Sequence, residues 1–266
     1  MGVIRTDEWI EEYFANPIEM CKKTLNEKSD EDPRSFYRYL IEYGMYKPTK
    51  QSKRNFEELK EHDVWGIVEG IYKKYRLKWR GPNIPIYIFP LGDRYRSFGQ
   101  IGNRNDNGNR KSGLTFPDKL FLFLTPELDN KEIEAIFVHE YHHACRMNYI
   151  KKDIKDYTLL DSIVLEGLAE HAVEENCGKE YLAKWCKLYS DEQIISYWKR
   201  FLAKNLSVKK DHSQHDHLLF GGRGVPEMLG YASGYSMIAK YKQSRNMKTG
   251  SSFTLNFDDF LSSTFV

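Results

Sequence analysis

The chain's 266 residues can build one large domain or two small ones, and 41% hydrophobic with 14% aromatic residues can fill a sizeable core. A formal charge of +2 and a pI near 8.2 are mild, and they neither demand a nucleic-acid partner nor exclude one. No apolar run approaches the ~18 residues of a membrane span, and the first residues carry no apolar signal core. Cys21, Cys145, Cys177 and Cys186 form no C-x-x-C, so the expectation is a cytoplasmic protein with free thiols and no membrane partner.

Residues 7–25 read as an amphipathic helix with Trp9, Ile10, Tyr13 and Phe14 on one side and Thr6 or Asp7 as its cap. Pro17 lacks a backbone donor and predicts a break near Asn16. The charged residues 26–33 read as a loop, and Pro33 opens a second helix carrying Phe36, Tyr37, Leu40 and Tyr43. Basic residues 47–54 read as a linker and as the candidate domain boundary. A third helix is expected over residues 56–75, from Val64, Ile67, Val68, Ile71, Tyr72 and Tyr75 at helical spacing. Residues 72–80 interleave aromatic and basic side chains, a composition that can bind RNA. The polar face of a helix end leading into a strand is the better account, and no nucleic-acid partner is expected.

Strands follow over residues 84–90 and 119–126, separated by a Gly-, Asn- and Arg-rich loop or irregular hairpin over residues 97–113. Asp129 or Asn130 should cap the next helix, with Glu132 and Glu134 in its first turn favouring the helix dipole. Beyond Gly178, helices are expected over residues 181–189, 191–206 and 230–241, with a polar loop over residues 207–217.

The helix after Asn130 holds His139, Glu140 and His143 in the spacing H-E-x-x-H. Residues four apart share one helical face, so both imidazoles can reach one cation while Glu140 stands beside it to handle a water proton. Ile133, Ile136, Phe137, Ala144 and Met147 predict a helix buried on most sides. A catalytic zinc takes a third protein ligand. The stretch LEGLAEHA supplies Glu166 and Glu170, again four apart, beyond a polar turn over residues 151–156. One carboxylate can close the metal shell while the other orients a ligand His from behind. Gly167 costs a helix about 1 kcal/mol against Ala, which close approach to another backbone would explain.

Arg146 lies three residues beyond His143 and can pair with Glu170 or Asp161, or face solvent. His142 and His171 read as surface, packing or backing residues rather than ligands. His212, His215 and His217 read as part of a solvated loop, with a second metal or a transition-state donor as alternatives. GYASGY, with Tyr231 and Tyr235, has small residues spaced for close helix packing, and its tyrosines are candidates for a catalytic role.

HEYHHACR, LLDSIVLEGLAEHA and GYASGY, with WRGPNIPIYIFP and KLFLFLTPEL upstream, resemble the YjaZ-type family of predicted zinc-dependent proteases over residues 78–238. That family belongs by motif to the gluzincins, whose ligands are His, His and Glu. The metal-facing Glu comes first in such sites, which implies zinc held by His139, His143 and Glu166, with Glu170 behind a ligand His and Glu140 as general base. GYASGY loosely resembles the GYxxxY element of zinc oligopeptidases, whose first Tyr faces the metal. This implies Tyr231 as transition-state donor, with Tyr235 as the alternative. The His that stands just ahead of the element in those enzymes is missing here, where His217 lies fourteen residues before Tyr231.

The expected fold is α+β and zincin-like: a small, mostly antiparallel sheet packed on a two-helix zinc module, with extra helices at both ends. Residues 1–54 would form a helical region and residues 55–266 the metallopeptidase-like domain, unless the chain is one continuous domain. The expected function is zinc-dependent hydrolysis of a peptide or protein substrate, in an oligomeric state left open. The alternative is a catalytically silent zinc-binding regulator or interaction module on the same scaffold.

Overall fold

The computed structural model describes residues 1–25, 31–93, 110–245 and 247–263. Most of the charged loop expected over residues 26–33, and residues 97–109 of the expected Gly-rich loop, lie outside the described residues. The described chain is α+β and mostly helical, with one three-stranded sheet. Described residues up to Glu140 form one compact unit and those from Tyr141 onward a second. No described helix is long and apolar enough to cross a membrane.

In the first unit, α1 (Thr6–Tyr13) and α2 (Pro17–Thr24) are separated by residues 14–16, and Pro17 sits where its missing donor is harmless. Neither Thr6 nor Asp7 caps α1. The Thr6 hydroxyl donates to the Ile88 carbonyl and accepts from Trp65 Nε1 at 2.8 Å, while Asp7 pairs with Arg5, so tertiary contacts claim the first side chain and a local ion pair the second. Helix α3 (Pro33–Glu42) is capped by Asp32, whose carboxylate accepts from Ser35 N–H.

Two expectations fail next, both at helix starts. Residues 50–54 of the expected linker are helical: α4 (Lys50–Glu61) begins at a reciprocal cap between Thr49 and Ser52. The expected helix over residues 56–75 is the end of α4 followed by α5 (Val64–Trp79). Between them Asp63 adopts a left-handed φ of 47°, and its carboxylate caps Gly66 N–H at 3.2 Å. Apolar spacing alone continues through that break, because both helices bury the same kind of face.

Strands β1 (Ile86–Pro90), β2 (Lys111–Thr115) and β3 (Leu120–Leu124) form a sheet in the order β1-β3-β2. The sheet is mixed rather than mostly antiparallel. A tight turn, closed by Phe116 N–H to Lys119 O at 2.9 Å, forces β2 against β3 antiparallel, whereas β1 runs parallel to β3. β1 and β3 are buried throughout and therefore read as continuous apolar runs; β2 is the half-exposed edge, carrying Lys111, Ser112 and Thr115.

Helix α6 (Asn130–Ile150) starts at Asp129, whose Oδ1 accepts from the N–H groups of Lys131 and Glu132 at 2.8 and 2.7 Å. Glu132 returns a bond to Asp129 N–H at 3.0 Å. One turn on, Glu134 accepts from Lys74, Lys131 and Tyr75 at 2.6, 2.7 and 2.8 Å, which joins α5 to α6.

In the second unit, a Thr158–Asp161 capping box starts α7 (Leu159–Cys177), which packs on α10 (Leu229–Ser244). Leu159, Ile163, Val164, Trp198, Met237, Ile238 and Phe260 are among the buried residues of the core these helices share. The helix expected over residues 181–189 is instead a pair of 3₁₀ turns, Lys179–Tyr181 and Lys184–Lys187. Leu182 and Ala183 between them are extended, because Ala183 N–H is drawn to the Glu170 carboxylate. Helix α8 (Asp191–Tyr197) passes into a π-helical turn, Trp198–Leu202. The loop expected over residues 207–217 ends in helix α9 (Ser213–Phe220), and a short α11 (Thr249–Ser252) precedes the C-terminal 3₁₀ segment.

Burial opposes ionisation of Glu134, but hydrogen bonds from Lys131, Lys74 and Tyr75 outweigh it and hold the carboxyl at about 2, against an ordinary 4.5. Its contribution to stability is therefore complete above the unfolded value and is lost as pH falls from about 4.5 toward 2. Thermal melts at about pH 6 and pH 3 should show a larger fall in Tm for the parent than for Glu134→Gln.

Candidate metal centre

Helix geometry places His139 and His143 one turn apart on α6, and α7 supplies Glu166. Each of the three offers a ligand atom, and these atoms all lie within 4.8 Å of one another. His143 Nε2 is 3.6 Å from Glu166 Oε2. Tetrahedral zinc, with bonds of about 2.0–2.2 Å, holds neighbouring donors about 3.4 Å apart, so two imidazoles and this carboxylate suit the ion in number, type and spacing. His143 is buried, whereas His139 and Glu166 are partly exposed, so the group meets solvent on one side. Among the described residues no other set of three His, Cys, Asp or Glu side chains converges in this way.

The orientation of Glu166 follows from its neighbour. A Cβ on Gly167 would stand 2.3 Å from the Gly234 carbonyl oxygen, and one on Gly234 would stand 2.1 Å from the Ile163 carbonyl oxygen. Helices α7 and α10 therefore cross in backbone contact, as the glycine inside LEGLAEHA and the small residues of GYASGY led us to expect.

Glu140 follows His139 on α6 and is 7% exposed. Its Oε2 accepts a hydrogen bond from the Thr115 hydroxyl at 2.6 Å, and its side chain lies flat against Gly113 of β2. A Cβ on Gly113 would come within 2.5 Å of Glu140 Oε1.

Arg146 pairs with neither Glu170 nor Asp161. It is fully buried, its guanidinium donates to the carbonyls of Ser252 and of Leu255, the latter at 2.8 Å, and it lies 4.4 Å from the Phe257 ring centroid. Asp161 is instead bonded by Lys152. Burial pushes Arg146 down to about 10, still far above neutrality, so it remains charged. His142, also buried, lies 3.2 Å from Ser252 Oγ and 5.0 Å from the Phe253 ring, so the C-terminal segment covers this side of α6.

Glu170 accepts from Ala183 N–H and also receives the Cys186 thiol, whose pKa is pushed up by burial and by that carboxylate. The Tyr231 ring packs against Trp185 and Phe220, with centroids 5.2 and 5.5 Å apart. Tyr235 is differently engaged: its hydroxyl donates to Glu174 at 3.0 Å and its ring stacks on His171 at 4.3 Å. Nε2 of His171 donates to the Tyr235 carbonyl at 3.0 Å, and burial pushes the His171 pKa down.

Of the three histidines of DHSQHDH, His212 is exposed and caps α9, whereas the other two are helical: His217 is half-buried and His215 is buried between Ser162 on α7 and Asp216, at 2.9 and 2.8 Å. None of them belongs to a converging ligand group among the described residues.

Thr115 and Gly113 were missing from the sequence-derived site. They lie in KSGLTFPDKL, where Pro117 and Asp118 form a turn signal between the two strands. The polar, glycine-containing β2 nevertheless reads as loop because an edge strand need not be apolar.

A family model described as "Predicted Zn-dependent protease (DUF2268)" matches residues 64–262. The chain is similar to the uncharacterized protein YjaZ of Bacillus subtilis (strain 168), with 37% identity over 223 residues that cover 84% of this chain and 83% of the relative. It is also similar to the uncharacterized protein YjfC of the same organism, with 28% identity over 136 residues, covering 47% and 45% of the two chains. No solved structure matches the chain.

Proposed function

We propose that the chain, which belongs to the family of predicted Zn-dependent proteases, hydrolyses peptide bonds with Glu140 as its general base. One observation carries this reading: ligand atoms of His139 and His143 on α6 and of Glu166 on α7 lie within 4.8 Å of one another, and Glu140 adjoins His139 on α6. In this reading the three hold zinc and the substrate is a peptide or protein. Bound zinc supplies Lewis acidity, lowering the pKa of a water toward neutrality and polarising the scissile carbonyl. Glu140 accepts the proton of the attacking water and returns it to the leaving amine. Glu170 is assigned the role of backing a ligand His in this reading; its carboxylate is engaged by Ala183 N–H and the Cys186 thiol.

The negative charge that develops on the carbonyl oxygen calls for a hydrogen-bond donor from the protein. Tyr231 is the residue proposed for it. Its partner in GYASGY, Tyr235, already gives its hydroxyl to Glu174 and its ring to His171, which supports the first Tyr over the second.

Glu140→Gln should bind zinc as the parent does and lose nearly all hydrolysis of a peptide library. Undiminished zinc-dependent turnover in that variant would sink the mechanism, and a parent that binds zinc but cleaves no peptide would favour the silent regulator. Zinc content after dialysis should fall most for Glu166→Ala. For Glu170→Ala the loss should be about ten- to a hundredfold in affinity. Tyr231→Phe should fold, retain zinc and lose about 10²–10³ in kcat with little change in KM; an unchanged kcat removes Tyr231 from the mechanism.

A further inference from the structure

The edge strand β2 touches Glu140 in two ways that neither the H-E-x-x-H spacing nor the ligand group requires. The Thr115 hydroxyl lies 2.6 Å from Glu140 Oε2 and 3.1 Å from the Glu140 backbone carbonyl oxygen. With one proton to give, it bonds the nearer and charged acceptor, because charge-assisted hydrogen bonds are shorter and stronger than neutral ones. Two residues back on the same face of the strand, Gly113 leaves space that any Cβ would take: it would sit 2.3 Å from Cγ, 2.5 Å from Cδ and 2.5 Å from Oε1 of Glu140. Its φ is not positive, so close approach rather than backbone conformation requires the glycine.

The pairing of β2 with β3 makes this placement rigid. Gly113 and Thr115 face Leu122 and Leu120 in the register, and β3 is buried along its whole length. The two contacts therefore belong to a fixed ladder rather than to a loose loop. Three rotatable side-chain bonds separate the Glu140 carboxylate from its backbone, and an exposed glutamate samples many rotamers. A bond to one oxygen and a wall along the carboxyl group leave a single orientation, with Oε1 as the oxygen free to take a proton.

We propose that β2 positions the general base of this chain: Thr115 holds Oε2 of Glu140 while Gly113 makes room for the carboxylate, so that Oε1 is the proton acceptor. Thr115 acts through Glu140 and is a positioning residue. This rests on the hydrolytic reading above, and the tests keep the two apart.

The full-length parent and the variants Thr115→Val, Thr115→Ser and Gly113→Ala are compared for zinc content, Tm, kcat and KM on a peptide substrate. A crystal structure of each zinc-free protein reports the Glu140 side-chain angles. Thr115→Val should keep zinc and Tm and leave KM unchanged. Its kcat should fall by about ten- to a hundredfold, in line with loss of a hydrogen bond to a charged group. Thr115→Ser should recover most of that loss, since it restores the hydroxyl, and Gly113→Ala should turn the Glu140 carboxylate away from its parental orientation. Combining Thr115→Val with Glu140→Gln should cost no more than Glu140→Gln alone. An unchanged kcat in Thr115→Val, or an equal loss in Thr115→Ser, would overturn the proposal. Should the parent bind zinc yet cleave no peptide, the hydrolytic reading fails by itself. The crystal structures then still decide on positioning, because Glu140 in its parental orientation in both Thr115→Val and Gly113→Ala refutes it.

Discussion

Backbone contact between Gly167 and Gly234 fixes where α7 can lie and which way its side chains point. With no Cβ on either residue, α7 and α10 approach until the carbonyl of one glycine sits over the α-carbon of the other. Gly167 costs its helix about 1 kcal/mol relative to Ala, and dense packing along the crossing, with Ile163, Met237 and Ile238 fully buried, offsets it. Glu166, one residue from the contact, has its direction set by the crossing. That direction brings Oε2 to 3.6 Å from His143 Nε2, a distance that suits a shared cation.

Helix α6 is correspondingly divided by function along its length. Its first turns are fixed to α5 and the sheet through Glu134 and Glu140, and its last turns to the C-terminal segment through His142 and Arg146. Each of these polar side chains is buried, and each has a named partner. Removing the partner of a buried charge costs about 3–5 kcal/mol, so the partners hold the helix in rotation and register. His139 and His143, the candidate ligands, can then be aimed without contributing to that task themselves. The arrangement also explains why α6 has so few exposed residues for its length, since polar groups as well as apolar ones face inward.

Much of the candidate metal centre was legible because its geometry is local. Four-residue spacing on a helix sets two imidazoles on one face whatever the surroundings, and a glycine beside a glutamate signals a close crossing. The helix cap at Asp129 was legible for the same reason, lying within three residues of the groups it satisfies. The misread elements share a different feature. Thr6, Asp7 and Ala183 were each diverted by a partner remote in the chain or by a competing ion pair, and the break at Asp63 left no mark in the apolar spacing. Arg146 failed likewise, because its carbonyl acceptors lie more than one hundred residues away.

By itself the sequence determined the two buried strands, the H-E-x-x-H helix, the second helix with its paired glutamates, and the need for tight packing at Gly167. All of these rest on contacts within a turn or two, or on hydrophobic period. Tertiary structure alone decided that β1 and β3 run parallel, that Arg146 serves the C-terminal segment, that His215 is buried against Ser162, and that Thr115 and Gly113 meet Glu140. The physical reason is common to the four. Each depends on which surfaces the chain folds together, and hydrogen bonds between residues far apart in sequence leave no periodic trace in it.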